Sequence, residues 1–422
     1  MGGRSVRAQN GPIPADIKNI LVMPTRDFLA LGDDRYRLTL PASGTTFEID
    51  RLRRDRHELV GELCVRCDLP GARTVDGTLS IADFNVSSAR ARAERAKVLT
   101  ERSNARDLDW HMLVEEFCQL VLSADRNGQP GVDLRDLPRP ERNDGIAIDG
   151  FNFPRRHPSI VFGDGGAAKS YFALWLAGRM AELGMTVALF DWELAGDDHR
   201  ERLELLFGAA MPRVLYVRCD RPLFYEADRL QRIVRENAVD FGIFDSIAFA
   251  CDGPPESAEV AARYFRAVRQ IGVGSLHVAH ITKGEGGDQK PFGSAFWHNG
   301  ARATWFAKRA DGSEDEVIDI AFFNRKANLG KLLQPVGFSI TFAEDRTTFR
   351  RSNPADSPDL AGQLSVRQRM ASLLRRGSMP AESIAGEIEA DVETVRRTAR
   401  RYKKLFTVLD GGRLGLLERN RS

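Results

Sequence analysis

The residues with the most definite chemistry lie between Ile160 and Tyr171, read IVFGDGGAAKSY. Three apolar residues run into a glycine-rich turn. Lys169 and Ser170 follow, then an apolar run from Phe172 to Leu183 that is patterned as a helix. Such a turn lets backbone N–H groups and a helix N-terminus converge on an anion, the chemistry of a phosphate loop. Gly163, Asp164, Gly165, Gly166, Ala167, Ala168, Lys169, Ser170 and Tyr171 are therefore the candidate nucleotide-binding residues. Lys169 is spaced to offset β- and γ-phosphate charge and the Ser170 hydroxyl to ligate Mg²⁺, so ATP and Mg²⁺ are the expected ligands. Ala168 stands where the G-x-x-x-x-G-K-[ST] pattern has its second glycine, and its Cβ is expected to crowd the phosphate. Without nucleotide the Lys169 ammonium is expected to face solvent.

The chemistry needs carboxylates at neighbouring strand ends. Thr186 to Asp191 (TVALFD) reads as a short buried strand that runs into Trp192 and Glu193, followed by Asp197, Asp198 and Arg200. A strand-end carboxylate beside a phosphate loop can orient an attacking water, so Glu193 is the candidate catalytic residue, with Glu285 and Asp240 the next to consider. Val239 to Ser246 (VDFGIFDS) is a second apolar strand, and its Asp245 can hold the hydration shell of Mg²⁺. His280 closes a third, Ser275 to Ala279. A strand at Val214 to Arg218 and helices at Tyr225 to Asn237 and Ser257 to Gln270 fill the intervals. Strands alternating with helices imply parallel βαβ units and an α/β core. The polar, glycine-rich stretch Thr282 to Gly293 reads as a functional loop.

In this order the motifs resemble the RecA-like ATPases, and within them the branch containing a plasmid-encoded hexameric replicative helicase. The resemblance covers about residues 145–310. It rests on GDGGAAKS, Glu193 in FDWE, Asp245 in FDS, His280 in HVAHITK, and Arg302 after Gly293-Ser294 in GSAFWHNGARATW. It implies that His280 senses the γ-phosphate and that Arg302 reaches into a neighbouring subunit's nucleotide. The loop Lys283 to Phe292, with Lys283 and Lys290, would face the central channel of a ring. Single-stranded DNA and further copies of the chain, as a hexamer, are then the implied partners, and Lys169, Glu193, His280 and Arg302 the catalytic set. The same core serves motors and switches alike. A ring helicase or translocase therefore stands beside an ATP-switched loader, mediator or mobile-element regulator, and beside a DNA-binding regulator with a decayed ATPase core.

The rest of the chain supplies the frame. Its 422 residues carry a net charge of only +2, so affinity for nucleic acid must come from local patches. Five cysteines are too scattered for a disulfide framework, and Cys64-x-x-Cys67 reads as packing in a strand. No signal peptide or membrane-length apolar run is visible, so a cytoplasmic protein is expected. Residues 1–14 read as disordered. Residues 15–124 read as a β-rich and helical module: a hairpin RYRLTL/TTFEID, a strand HELVGELCVRC with Leu59, Leu63, Val65 and Cys67 on one face, and a fourth strand TLSIADF. A basic helix from Ser87 to Arg106 reads as a solvated face or, in the alternative, a nucleic-acid or partner contact, and Asp109 to Ser123 as an amphipathic helix with Met112, Leu113, Phe117, Leu120 and Val121 in its stripe.

Residues 125–149 read as a linker, 150–350 as the ATPase core and 351–364 as a second linker. Thr304 to Ala307, Glu316 to Phe323 and Val336 to Phe342 look like edge strands. Residues 365–422 read as a winged helix-turn-helix, with helices Ser365 to Arg376, Pro380 to Glu389 and Asp391 to Lys404 and a hairpin in FTVLDGGRLGLL. Thirteen Lys/Arg against seven Asp/Glu in 361–422 favour phosphate contact over the protein docking that winged helices also serve, with Arg396, Arg397, Arg400, Arg401, Lys403 and Lys404 as the candidates.

Overall fold

The computed structural model describes residues 26–417 except 33, 106–107, 129–130, 140–144, 282–290, 293–294, 312–315 and 329. The expectations for residues 1–14, Lys283, Glu285 and Lys290 lie outside the described residues. The chain divides into two compact units, Met1–Pro138 and Arg139–Ser422.

The first unit is a five-stranded antiparallel meander in chain order: β1 (Asp27–Gly32), β2 (Arg35–Leu40), β3 (Thr45–Asp55), β4 (Glu58–Arg66) and β5 (Thr78–Asn85). β1, mostly exposed along its length, has no counterpart in the sequence reading. Leu59, Leu63, Val65 and Cys67 are all buried, as a two-residue period requires. Helices α1 (Ala89–Ser103) and α2 (Trp110–Asn127) follow, capped by the Ser88 and Asp109 side chains. Phe47 of the sheet packs on Trp110 and Phe117 of α2. Two expectations change here. Met112 is exposed, and the buried stripe of α2 runs through Trp110, Leu113, Val114, Phe117, Cys118 and Val121. The basic face of α1 is only partly solvated, because Arg95 donates to the Ser80 hydroxyl, Arg102 to the Leu79 carbonyl, and Arg92 pairs with Glu115 at 2.8 Å.

The second unit opens with an antiparallel pair, β6 (Gly145–Ile148) and β7 (Phe151–Pro154), the first inside the stretch read as a linker. Ile146, Ile148, Phe151 and Phe153 are buried, which holds this segment against the core. Then come β8 (Pro158–Gly163), α3 (Lys169–Glu182), β9 (Val187–Asp191), α4 (Gly196–Phe207), β10 (Val214–Arg218), α5 (Leu223–Glu236), β11 (Phe241–Asp245), α6 (Ile247–Ala250), α7 (Ala258–Ile271) and β12 (Gly274–His280). The helix α8 (Ala295–Gly300) leads to β13 (Ala303–Arg309), β14 (Val317–Ala327), β15 (Val336–Phe342) and β16 (Thr347–Ser352).

These strands form one nine-stranded sheet in the order β10-β9-β11-β12-β8-β13-β14-β15-β16. It is parallel from β10 to β13 and antiparallel beyond. The three late strands read as edges are interior, and the edges are β10 and β16. The reason is burial on both faces: Trp305, Phe322 and Phe338 pack with Phe151, Phe172 and Trp175 on one side, and Phe306 and Phe323 lie in the opposite core. Strands β8, β9 and β11 are buried at every position, as expected for a parallel sheet covered on both faces.

The stretch 351–364 is also no free linker. Leu360, in α9 (Pro358–Ala361), and Leu364 join the core beside Phe306 and Phe323. Three helices follow, α10 (Val366–Leu374), α11 (Ala381–Glu387) and α12 (Val392–Arg401), and then an antiparallel pair, β17 (Phe406–Val408) and β18 (Leu414–Leu416). Met370, Ile384, Val395, Phe406 and Leu414 make a separate small core. α12 stops at Arg401, where Tyr402 leaves helical geometry, so Lys403 and Lys404 sit in the following turn.

Candidate nucleotide site

Parallel pairing brings the carboxyl ends of four strands to one edge. Gly163 of β8 lies opposite His280 of β12, and Asp191 of β9 opposite Asp245 of β11. In open parallel sheets the ligand crevice lies outside these ends. Lys169, Ser170, Glu193, Asp245 and His280 all gather there.

The glycines of the loop serve different needs. A Cβ on Gly163 would lie 2.2 Å from the Ala307 carbonyl oxygen, so this glycine is required by the approach of β13. Gly165 and Gly166 have open space where a Cβ would be, and Gly166 has φ +72°. Ala168, the N-cap of α3, has φ 47° and ψ 28°. The missing glycine therefore has a backbone consequence as well as the expected crowding, because a left-handed conformation strains a residue with a Cβ.

Lys169 does not face solvent. It is 5% exposed, and its Nζ donates to the Asp164 carbonyl at 2.6 Å. Burial lowers its pKa to about 8, opposed by the charges of Asp245, Asp164 and Glu193. The expectation of a solvated ammonium fails because Lys169 opens α3 and its side chain turns back onto the Asp164 carbonyl of the loop. Tyr171 is engaged by packing, with the Arg202 guanidinium 4.8 Å from its ring centre and Phe342 at 5.0 Å.

Asp245 is 3% exposed. Burial raises its pKa to about 6; a hydrogen bond with Ser170 opposes this, while Glu193 and Asp191 add to it. Its Oδ1 is buried without a partner among the described residues. Among the described residues no group of three or more His, Cys, Asp or Glu could hold a metal by itself. Mg²⁺ characteristically takes one or two carboxylates and completes its shell with water and substrate phosphate. Ser170 beside an orphaned Asp245 oxygen fits that demand.

Glu193 is exposed and accepts a hydrogen bond from the Ser246 hydroxyl. Its loop is fixed from several sides. Trp192 N donates to the Asp245 carbonyl at 2.8 Å, and the Trp192 indole N–H to the Arg221 carbonyl at 2.8 Å. The Leu194 carbonyl accepts from the Tyr216 hydroxyl at 2.9 Å and from Arg218 Nη1 at 2.8 Å. Leu194 N donates to Asp191 Oδ2 at 2.7 Å. Asp191 is fully buried, and His199 Nε2 stands 3.5 Å from the same oxygen. The sequence reading passed over Asp191, His199 and Ser246. Asp191 was visible as a strand-end acid two residues before Glu193, whereas nothing in the spacing marks a helix histidine that turns back onto a strand. His280 is half-buried; burial and then Lys169 lower its pKa, and Glu193 opposes them. Asp240 stands at the other end of the sheet, where its Oδ2 accepts from Thr186 N at 2.8 Å.

Arg302 is not brought to this edge. It is exposed, and its backbone N donates to the carbonyl of Pro158, at the start of β8, at 2.8 Å. The phosphate loop leaves the other end of β8, five residues away and roughly 16 Å along the strand. Of the C-terminal candidates, Arg396 pairs with Glu382, and Arg400 with Glu393 at 2.7 Å. Among the described residues Arg397 has the Thr394 hydroxyl, at 3.5 Å, as its hydrogen-bond partner. Arg401 lies over the Tyr402 ring at 5.6 Å, and Lys403 and Lys404 are exposed.

Residues 131–286 match the family model described as AAA domain. None of the curated proteins compared with the chain matches it. Among solved structures, one described as an ATPase domain aligns with 14% identity and a TM-score of 0.38, covering 47% of this chain and 86% of that one. A KaiC-like protein from Pyrococcus horikoshii OT3 aligns with 15% identity and a TM-score of 0.38, over 47% and 91% of the two chains. Overlaps this loose lend no residue roles. No helix among the described residues is long and apolar enough to cross a membrane. The phosphate loop opens α3 at the carboxyl edge of the parallel strands, and the AAA-domain model is matched across it, so residues 131–286 are similar to an AAA-type P-loop ATPase domain.

Proposed function

We propose that the chain binds and hydrolyses ATP as a ring-forming ATPase acting on DNA, as a helicase or translocase in replication or recombination. The observation that carries this reading is the convergence of Lys169, Ser170, Glu193, Asp245 and His280 from four strand ends, with Arg302 exposed at the opposite end of the sheet. Lys169 exchanges the Asp164 carbonyl for phosphate oxygens, a better partner for an ammonium that burial disfavours. Ser170 and Asp245 would hold Mg²⁺, which when bound neutralises phosphate charge. Glu193 orients the attacking water and takes its proton as the water oxygen bonds to the γ-phosphorus and the bond to the bridging oxygen breaks, leaving ADP and inorganic phosphate. The Ser246 hydroxyl fixes the orientation of that carboxylate. His280, near enough to Lys169 and Glu193 to feel both charges, reads the γ-phosphate. Arg302 cannot serve its own site across the length of β8, and acts on the nucleotide of a neighbouring copy in a hexamer.

The three C-terminal helices and the β17–β18 pair act as a winged helix-turn-helix that contacts DNA, and Lys283 and Lys290 line the channel of the ring. A second reading, an ATP-switched loader, mediator or regulator without motor activity, is favoured by the strained Ala168 in the phosphate loop. Steady-state hydrolysis with and without single-stranded DNA, combined with mass measurement in ATP, separates the two. A DNA-stimulated hexamer supports the motor. ATP-dependent assembly with negligible turnover supports the switch, and a protein that binds no nucleotide overturns both.

A further inference from the structure

The arginines of α12 divide between two environments. On one side, Arg396, Arg400 and Lys403 line a hollow with Glu382 and the β17–β18 pair, and the two arginines are neutralised by Glu382 and Glu393. On the other side, Arg397 and Arg401 face a cleft of about 610 Å³ between α10 and α12, the end of β14 and the segment Leu332 to Pro335. Arg367 of α10 and Arg325 of β14 also line it, and no aspartate or glutamate does among the described residues.

The way Arg367, Arg397 and Arg401 are held preserves their charge. Arg367 and Arg401 lie 4.9 and 5.6 Å from the centre of the Tyr402 ring, an attraction that orients a guanidinium without neutralising it. Arg397 has the neutral Thr394 hydroxyl as its hydrogen-bond partner among the described residues. Arg325 lies over the rings of Phe306 and Phe323, 5.5 Å from the centre of each, and donates to the Gln363 amide oxygen at 2.7 Å. Like charges crowded into a recess repel one another, so the arrangement gains from an anion that enters it.

We propose that this cleft is a phosphodiester-binding site and that it takes the backbone of a single DNA strand, with Arg367, Arg397 and Arg401 each facing a phosphate. The proposal rests on the reading of the chain as DNA-associated, and it moves the principal contact from the outward side of α12 to the side facing the ATPase sheet. A single strand is favoured over a duplex by shape. A helix that reads a major groove must present a convex, open side, and this side of α12 is walled by β14 and the Leu332 to Pro335 segment. A narrow cationic groove suits a flexible single strand. The guanidinium fork matches phosphate oxygens bidentately. The cleft also joins the C-terminal helices to β14 of the central sheet, so a strand held here lies against the ATPase core.

The test uses the full-length protein and a fluorescein-labelled oligothymidylate, with binding measured by anisotropy from low to high salt. Each phosphate neutralised on a single strand contributes about 0.7 to the slope of log affinity against log salt. The triple change Arg367→Gln/Arg397→Gln/Arg401→Gln should flatten that slope by about 2, which corresponds to roughly 50-fold weaker binding at 0.15 M salt. The triple lysine variant at the same positions should keep the wild-type slope, which separates charge from any loss of packing on Tyr402. The double change Arg396→Gln/Arg400→Gln should leave the slope within about half a unit of wild type. If the double variant loses the slope and the triple glutamine variant keeps it, the cleft proposal fails while DNA association stands. If wild type does not bind the oligonucleotide, both fail. Tighter capture of a poly-glutamate peptide than of the oligonucleotide, lost in the triple glutamine variant, would make the cleft a protein-docking site and overturn the assignment. A duplex that binds through the same three arginines as strongly as the single strand would overturn the choice of strand.

Discussion

Replacing Lys169 with methionine should stabilise the nucleotide-free protein while abolishing turnover. The ammonium is 5% exposed, and burial lowers its pKa from 10.5 to about 8. That difference corresponds to about 3 kcal/mol by which the folded state disfavours the charged form. Methionine keeps the unbranched shape and removes the charge. The attraction of Asp245 is already contained in that lowered pKa, so one loss reduces the gain, the hydrogen bond to the Asp164 carbonyl, worth about 1 kcal/mol. A net stabilisation of about 2 kcal/mol remains. The sign of its pH dependence follows from linkage. Below pH 8 the lysine is protonated in both the folded and unfolded states, and the full penalty acts on wild type. Between about 8 and 10.5 the folded state releases its proton first, so wild type gains stability as pH rises and the variant does not. Urea denaturation without nucleotide at pH 7 and pH 9.5 should therefore give a gap that favours Lys169→Met and narrows at the higher pH. A variant less stable than wild type at pH 7, or a gap that does not narrow, would refute a buried, destabilised ammonium. ATP turnover should be undetectable at either pH.

Glu193→Gln should bind ATP but hydrolyse it at least about 100-fold more slowly, since an amide cannot take the proton; a single-turnover assay checks this, and unchanged hydrolysis removes Glu193 from the mechanism. Ala168→Gly should stabilise the protein by about 0.5–1 kcal/mol, the relief of left-handed strain exceeding the added chain entropy, and should tighten nucleotide binding; calorimetry reads both, and a destabilised variant contradicts the strained backbone. Arg302→Ala should bind ATP normally and lose roughly 10³-fold or more in rate, and rings mixed from Arg302→Ala and Glu193→Gln should exceed the summed activity of the separate mutants, because some interfaces then combine an intact glutamate with an intact arginine. Freely exchanging mixed rings of independent sites that show no such recovery refute a role in trans.

Much of the core was legible because its signals are local. A phosphate loop announces itself in eight consecutive residues, and the strands that end in Asp191, Asp245 and His280 are short apolar runs closed by a polar residue. The strands after Arg302 were misplaced for a non-local reason. Burial on both faces depends on what covers them, and Trp305, Phe322 and Phe338 meet Phe151, Phe172 and Trp175 from far along the chain. The same holds for the supposed linkers. Gly- and Pro-containing composition marks turns correctly, but it does not reveal that Ile146, Ile148, Leu360 and Leu364 are buried.

At the candidate site the sequence supplied residue types and the fold supplied their state. Lys169 was found by spacing, but its burial against the Asp164 carbonyl follows only from where α3 begins. The Glu193 carboxylate was found as a strand-end acid, yet its orientation depends on Ser246 of a different strand end and on a loop tied to Tyr216 and Arg218 of the edge strand β10. The arginines of α12 make the same point most sharply. In sequence Arg396, Arg397, Arg400 and Arg401 are one basic run, and net charge treats them alike. Helical geometry alternates them between a side facing Glu382 and a side facing β14. Glu393 and Glu382 cancel one pair, while Tyr402 and Thr394 leave the other charged. A count of charges fixes the potential seen from a distance, and the placement of the carboxylates decides which of those charges an incoming phosphate can meet.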